Sequence, residues 1–414
     1  MRQSHIVKVA RHLPESSRSS LTPVAARSAS VHPALLWAPF ALALVGLFFQ
    51  SSVGIAEFNR LTKEGTPPAL LDAFRPVLMQ ALWLFLGAGV MWVCSRVRGW
   101  LWLASAWVWL LLSWGALLWL ALKLPGALTI NGATRWFGLS VPGLSGITVQ
   151  PAEFYKLATL LWLTALLSAP RLRSTLGVWL GALIWLSGIG LIALQPDKDT
   201  AALVLLLGFG VAFLGGMRAQ WVWLGLLGVA LLIGAVVAIP LMLGALRNQP
   251  WETQPGAYVV KRIQATLDPW AHEREVGYQM VRAQIAVGSG GLFGVGVGEG
   301  REKRSLPAVE SDYIFAAIAE EMGLVGSLGV IGLLALLVWA CWESARRAPT
   351  RAARLYWGGL GIWVGVGALM NLSMAVGMLP TMGLPLPFVS AGGSALVSLL
   401  AALGIGIALA REAP

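Results

Sequence analysis

"LPAVESDYIFAAIAEEMG", residues 306–323, sets Glu310, Asp312, Glu320 and Glu321 against the start of an apolar run that continues as "LVGSLGVIGLLALLVWACW" (324–342). The run closes on the arginine-rich "ESARRAPTRAAR" (343–354). About 20 apolar residues cross the hydrocarbon core of a bilayer as a helix. The stretch therefore reads as a membrane span with carboxylates at one end and arginines at the other. Lys and Arg gather in short cytoplasmic loops, which puts the carboxylate end on the outer face.

The same pattern repeats along the chain. Of 414 residues, 57% are hydrophobic and 12% charged, with 21 tryptophans and 48 glycines; a soluble protein carries about twice that charged fraction. Apolar runs fall at 34–54, 76–95, 100–122, 154–169, 176–194, 200–216, 221–243, 318–342, 356–378 and 388–410. The expected fold is an all-α polytopic membrane protein of about ten transmembrane helices. Arg96, Arg98, Arg171, Arg173, Arg218 and Arg411 join 343–354 on the cytoplasmic side, and both termini lie in the cytoplasm. The net charge of +11 is thus read as loops held against anionic lipid, not as a nucleic-acid surface.

Residues 1–33, rich in Arg and Ser and poor in acid, read as a disordered cytoplasmic tail. The membrane domain covers 34–411, including a long extracytoplasmic loop, 244–317, between the seventh and eighth spans. Its "YVVKRIQATLDPW" and "GYQMVRAQIAVGSGGLFGVGVG" read as two short helices along the membrane surface and a glycine-rich turn. Cys94 and Cys341 lack the spacing of a metal site or redox pair. No G-x-x-x-x-G-K-[ST] is present, and "HERE" (272–275) is not H-E-x-x-H.

The outer-face polar residues each have two readings. Glu153 and Lys156, in "TVQPAEFYKLA" (148–158), share one helix face. They form either an anchoring ion pair or a functional one. Asp197 and Asp199, in "LQPDKDTAALV" (194–204), suit a helix cap or a site. Lys261 and Arg262 suit either an anionic phosphate or lipid headgroups. Asp312 fits an N-cap or a catalytic group. Glu320 lies about two turns deeper near the Asp312 face, whereas Glu321 points almost opposite. A carboxylate inside a span is a functional candidate. Pro380, Pro385 and Pro387 with Gly383 break the chain before the last helix, which opens with "SAGGS" (390–394), a potential anion site at Ser394.

"NGATRW", "QPAEFYKLA", "QPDKDTA", "LDPW…GYQ", "GSGGLFGVGVG", "LPAVESDYIFAAIAEEMGLVG" and "LPTMGLPLPFVSAGGS", in that order, resemble the SEDS family, the bacterial membrane proteins of shape, elongation, division and sporulation. The resemblance covers nearly all of 34–411. It implies ten spans and a peptidoglycan glycosyltransferase that polymerises lipid II, with a class B penicillin-binding protein as transpeptidase partner alongside other divisome or elongasome membrane proteins. The family's essential aspartate falls on Asp312. Arg135, Glu153, Lys156 and Asp197 fall on polar positions of the pattern. Ala308, Glu310, Lys198, Asp199 and Ala391 depart from it.

As a mechanism, Asp312 is the expected base toward a sugar hydroxyl. Arg135, Lys156, Arg262 or a divalent cation (Mg or Mn) would offset the leaving pyrophosphate, and Glu320 and Ser394 complete the expected substrate contacts. Placement is in the bacterial cell membrane, septal for the division branch, which the short "GEGREKRSLP" favours; "GLPLPF" leans to the elongation branch. A lipid II flippase is the competing class, and a non-catalytic scaffold the third.

Overall fold

The computed structural model describes residues 31–63, 70–130, 132–141, 144–168, 175–246, 250 and 257–412. The N-terminal tail up to residue 30 and the loop arginines Arg171 and Arg173 lie outside these residues. The helices are α1 (Ala34–Lys63), α2 (Leu70–Arg96), α3 (Gly99–Ala104), α4 (Ala106–Ala121), α5 (Pro151–Ser168), α6 (Thr175–Leu194) and α7 (Lys198–Leu214). They continue as α8 (Ala219–Leu246), α9 (Ala257–Leu267), α10 (Tyr278–Ser289), α11 (Ile314–Arg347), α12 (Arg351–Ala375) and α13 (Gly393–Ala410). Each apolar run of the sequence falls on a helix. The third covers two, α3 and α4, which meet at Ser105, where φ is −88° and ψ 1°. Among the described residues six helices, α1, α2, α6, α11, α12 and α13, are long and apolar enough to cross a membrane. The chain is a multi-pass membrane protein.

Local chemistry sets the helix ends. Pro151 opens α5, where a missing N–H costs nothing. Asp197 caps α7 by accepting from Thr200 N–H, and Thr350 caps α12 by accepting from Ala353 N–H. Basic residues close α1, α2 and α11, where the helix dipole favours them. The core runs through the centre of the bundle, with α13 along α2, α11 along α12 and α1, and α5 between α4, α7 and α12. Trp162, Trp357, Tyr155 and Tyr356 are almost completely buried there.

One feature departs from the sequence reading. Between α4 and α5 the chain forms an antiparallel three-stranded sheet, β1 (Ala127–Ile130), β2 (Ala133–Val141) and β3 (Leu144–Val149), in that order. Leu128 faces Trp136 across the first pair and Phe137 faces Val149 across the second. The strands follow the helix so closely that a scan for apolar runs passes over them. In the long loop lie α9 and, after it, α10. The latter packs against α11 and α12, with Ala283 and Ala286 buried beside Val53, Ala316 and Met374.

The segment from α10 to α11 carries Asp312 and is strapped to a break in α11. Gly323 has φ 62° and ψ −158°, which an L side chain avoids. The break frees backbone groups. Val295 and Gly296 N–H donate to the carbonyls of Glu320 and Glu321, and Leu324 and Val325 N–H donate to those of Gly291 and Leu292. A Cβ on Gly323 would stand 2.4 Å from Gly294 N, and one on Gly294 2.1 Å from Glu321 O, so the two segments meet as glycine.

The side chains of Glu320 and Glu321 hold the same strap. Glu320 accepts from Arg301 N–H (2.6 Å) and Glu302 N–H (3.1 Å). Glu321 pairs with Lys303, and both side chains are 1% exposed. Lys303 Nζ also donates to Ser52 Oγ on α1 and to Gly298 O, and Gly298 N–H donates to Glu321 Oε2 at 3.1 Å. Glu320 and Glu321, consecutive on the helix, are thus both met by the loop 298–303. Removing one member of a buried pair strands the other charge. Lys303→Met is expected to cost about 3–5 kcal/mol, and Lys303→Met with Glu321→Met to recover much of it. Thermal unfolding in detergent measures both.

Candidate functional site

At one end of the bundle a cleft of about 520 Å³ is lined by the first half of α2, the sheet, the start of α5, Ser311 and Asp312, Gly383 and Pro385, and the start of α13. Its polar lining draws on Gln80, Arg135, Gln150, Glu153, Asp312 and Ser394. Four of the sequence-derived candidates thus meet here: Arg135, Glu153, Asp312 and Ser394.

Asp312 sits one residue before the α11 cap position, Tyr313, which makes no side-chain cap bond. Its carboxylate is not spent on capping, contrary to the simpler sequence reading, because the helix begins at Ile314, later than a cap at Asp312 requires. Its own N–H turns back to Ala308 O at 2.9 Å. A Cβ on Gly383 would lie 3.9 Å from Asp312 Oδ2, so the carboxylate faces the turn that begins the broken segment. Burial pushes the Asp312 carboxyl up to about 6. The Ser311 hydroxyl and Arg135 pull it down, while Asp199 and Asp197 push it further up. Glu310 is raised as well, by burial and then by Glu57.

Arg135 projects from β2. Its Nε donates to Gln195 O at 2.8 Å and its Nη2 to Pro196 O, the carbonyls that follow α6. Its Nη1 is 4.0 Å from Asp197 Oδ1. Asp197, 2% exposed, also accepts from Gln150 Nε2 at 3.0 Å. Asp199, next along, accepts from Gly383 N–H at 2.9 Å. The sequence reading allowed Asp197 to be a cap or a site residue; it is the α7 cap and also braces the cleft wall.

Glu153 and Lys156 form a buried pair at 2.7 Å, each 3% exposed, with Lys156 Nζ 5.6 Å from the Trp363 ring centroid. Glu153 reaches the cleft. Lys156 lies behind it, on a small chamber of about 20 Å³ shared with Pro385, Pro387 and Ser390, room for about one water. Ser394 Oγ accepts from Gln150 N–H at 3.0 Å. Arg262, on α9, donates to Thr381 O at 2.6 Å and stands near Asp199 without lining the cleft. Glu320 is not brought to the cleft at all. It serves the strap, because its carboxylate is taken up by the Arg301 and Glu302 amides.

Two polar contributors, Gln80 and Gln150, escaped the sequence reading as site residues. Gln80 bonds Ser390 O at 3.2 Å and receives Gly392 N–H at 3.3 Å. Its signal was a lone amide inside the second apolar run. Gln150 bridges Asp197 and Ser394. Asp199, read from the sequence as a cap or a site residue, ties the broken segment to α7. Beside the cleft, a second chamber of about 340 Å³ has apolar walls from Trp102, Trp109, Phe137, Val149, Phe154 and Ile405, among others.

The fold and the cleft together define a polytopic helical membrane protein with a polar cleft at one end of its bundle and an apolar chamber alongside. A family model described as "Cell cycle protein", covering FtsW, RodA and SpoVE, matches residues 33–413. The chain belongs to the FtsW/RodA/SpoVE family, the SEDS proteins. It is 35% identical over 269 residues to a Dichelobacter nodosus protein named "Probable peptidoglycan glycosyltransferase FtsW", covering 63% of this chain and 64% of that one. It is 36% identical over 265 residues to the Escherichia coli K12 "Peptidoglycan glycosyltransferase MrdB", covering 63% and 67%. The match thus spans slightly less than two thirds of the Dichelobacter relative's length. A chain from a solved peptidoglycan synthase complex, described as coordinating polymerization and crosslinking, superposes with TM-score 0.70 at 26% identity, covering 91% of this chain and 96% of that one.

The two aspartates on this wall are expected to differ in thermal unfolding. Asp197→Ala removes a cap and should cost about 0.5–2 kcal/mol from that loss alone. Asp312→Asn removes no cap and relieves a buried charge, so its midpoint should be unchanged or higher.

Proposed function

We propose that this chain is a peptidoglycan glycosyltransferase that polymerises lipid II, with Asp312 as general base. The observation that carries the reading is the Asp312 carboxylate itself, unused by any cap, facing a cleft large enough for sugar, with a pKa near the operating range of a base. The names of the relatives and of the synthase complex support it.

In this reading an acceptor sugar hydroxyl loses its proton to Asp312 as its oxygen bonds the anomeric carbon of the donor. The anomeric carbon–oxygen bond to the phosphate breaks, and the lipid pyrophosphate leaves with the electron pair. Arg135 is the cationic side chain on the cleft wall that offsets that charge. The unpaired N–H groups at the start of α13 point the same way. Lys156 acts through Glu153, and Arg262 through Asp199 and the 381–383 turn. The adjoining apolar chamber suits part of the polyprenyl tail. Among the described residues no group of three or more His, Cys, Asp or Glu is disposed to hold a metal ion, so no step is routed through a divalent cation.

The reading carries a placement with it. The cleft opens outward, both termini are cytoplasmic, and the membrane is that of a bacterial cell, at the septum for a division-type protein. The relatives of division and elongation type stand at 35% and 36% identity, and the short linker 298–307 tips the reading to division. A class B penicillin-binding protein is the proposed transpeptidase partner, by analogy with the synthase complex.

Purified protein with its partner and labelled lipid II tests the chemistry. Asp312→Asn should lose polymer by about 10²-fold or more while retaining substrate binding. Undiminished polymer overturns the proposal, and an altered lipid translocation beside undiminished polymer points to flipping instead. A second check is the pH profile. The base must be deprotonated, so polymerisation should fall as pH drops below about 6. The charge of Asp199 raises the Asp312 pKa, so Asp199→Asn should move the acid limb to lower pH.

A further inference from the structure

Behind the cleft, one buried amide reaches both of the segments that face each other across it. Asn371, on α12 a turn before its end, is completely buried. Its Nδ2 donates to the backbone carbonyl of Asp312 at 2.8 Å and to that of Leu384 at 2.7 Å. Both carbonyls belong to irregular backbone. Asp312 lies in the strap just before α11, and Leu384 lies in the broken segment between α12 and α13.

The bond at Leu384 continues toward the cleft. The preceding residue, Gly383, donates its N–H to Asp199 and stands against Asp312 Oδ2. The spacing between the Asp312 carboxylate and the 383–385 turn is therefore fixed by one side chain that touches neither the cleft nor its contents. Only a side chain with two donors on one nitrogen, at this length, can bond both carbonyls. Aspartate would set an acceptor against two acceptors, and leucine would fill the space with no donor.

We propose that Asn371 is a positioning residue for Asp312: by bridging the Asp312 and Leu384 carbonyls it sets the aim of the carboxylate and the width of the cleft. The inference rests on the reading of Asp312 as base. Its signature is kinetic. A displacement of about 1 Å at a reacting group costs about 10²-fold in rate, whereas substrate binding draws on the whole cleft and changes little. A merely structural amide would lower the amount of folded protein and leave the turnover of folded molecules alone.

The test uses full-length protein in liposomes with its partner, labelled lipid II as substrate, and activity expressed per folded molecule. Asn371→Leu is expected to lower kcat by about 10- to 100-fold with KM within about twofold. A kcat within about twofold of the parent, or a change confined to KM, overturns the positioning role. Should Asn371→Leu fail to fold, the near-isosteric Asn371→Asp is read by the same criterion: a similar fall in kcat supports the role, and an undiminished kcat overturns it. Asp312→Asn runs in parallel. If it still polymerises, the catalytic reading itself fails. If it is inactive while Asn371→Leu is fully active, only the positioning role falls.

Discussion

Backbone that leaves the helical state inside an apolar body has to find partners for its N–H and C=O groups, and the rest of this molecule depends on how that need is met. Between α12 and α13 the chain runs from Val376 to Gly392 without regular structure. Its polar groups are taken up by side chains from other helices. Gln50 on α1 donates to Val389 O, Gln80 on α2 bonds Ser390 O and Gly392 N, and Asn371 takes Leu384 O. Ser390 closes the inner turn by accepting from Leu386 N–H. The contacts from Gln50, Gln80 and Asn371 join the segment to three different helices. Satisfying the broken segment and holding α1, α2, α7 and α12 at a fixed separation are one and the same act, and the cleft is the space left over.

The carboxylates that open the eighth apolar run divide their labour accordingly. Asp312 is left for the cleft, while Glu320 and Glu321 lie deeper and bind the strap that leads to it. A buried carboxylate is costly unless its oxygens are occupied. Glu320 is occupied by two backbone amides and Glu321 by an ammonium, a hydroxyl and an amide. They are consecutive helical residues, about 100° apart, and the loop 298–303 curls round the helix to meet both.

Much of this was legible before any coordinates. Spans are written in local hydropathy, so all ten apolar runs land on helices, with ends within a few residues except at α1, α11, the starts of α2 and α12 and the loop-side end of α13. The meeting of Arg135, Glu153, Asp312 and Ser394 followed from finding polar residues on one face of an otherwise apolar chain. What was not legible depends on partners remote in sequence. Nothing near Glu320 reveals that it would receive Arg301 and Glu302, and nothing near Gln80 reveals Ser390. The sheet was hidden for a different reason: its strands occupy a stretch too short and too mixed to register against long apolar neighbours.

That sheet has a consequence of its own. Along β2 Trp136 lines the cleft and Phe137 the apolar chamber; along β3 Thr148 and Val149 divide in the same way, followed by Gln150 and Pro151. Alternation along a strand thus makes a partition one residue thick. A small inhibitor confined to either compartment meets only half of the available recognition. A compound with a water-loving head joined over the strand edge to an oily group would gain from tethering, since the second half binds at the high local concentration set by the linker. The linker's length is then a design variable dictated by the thickness of a single strand.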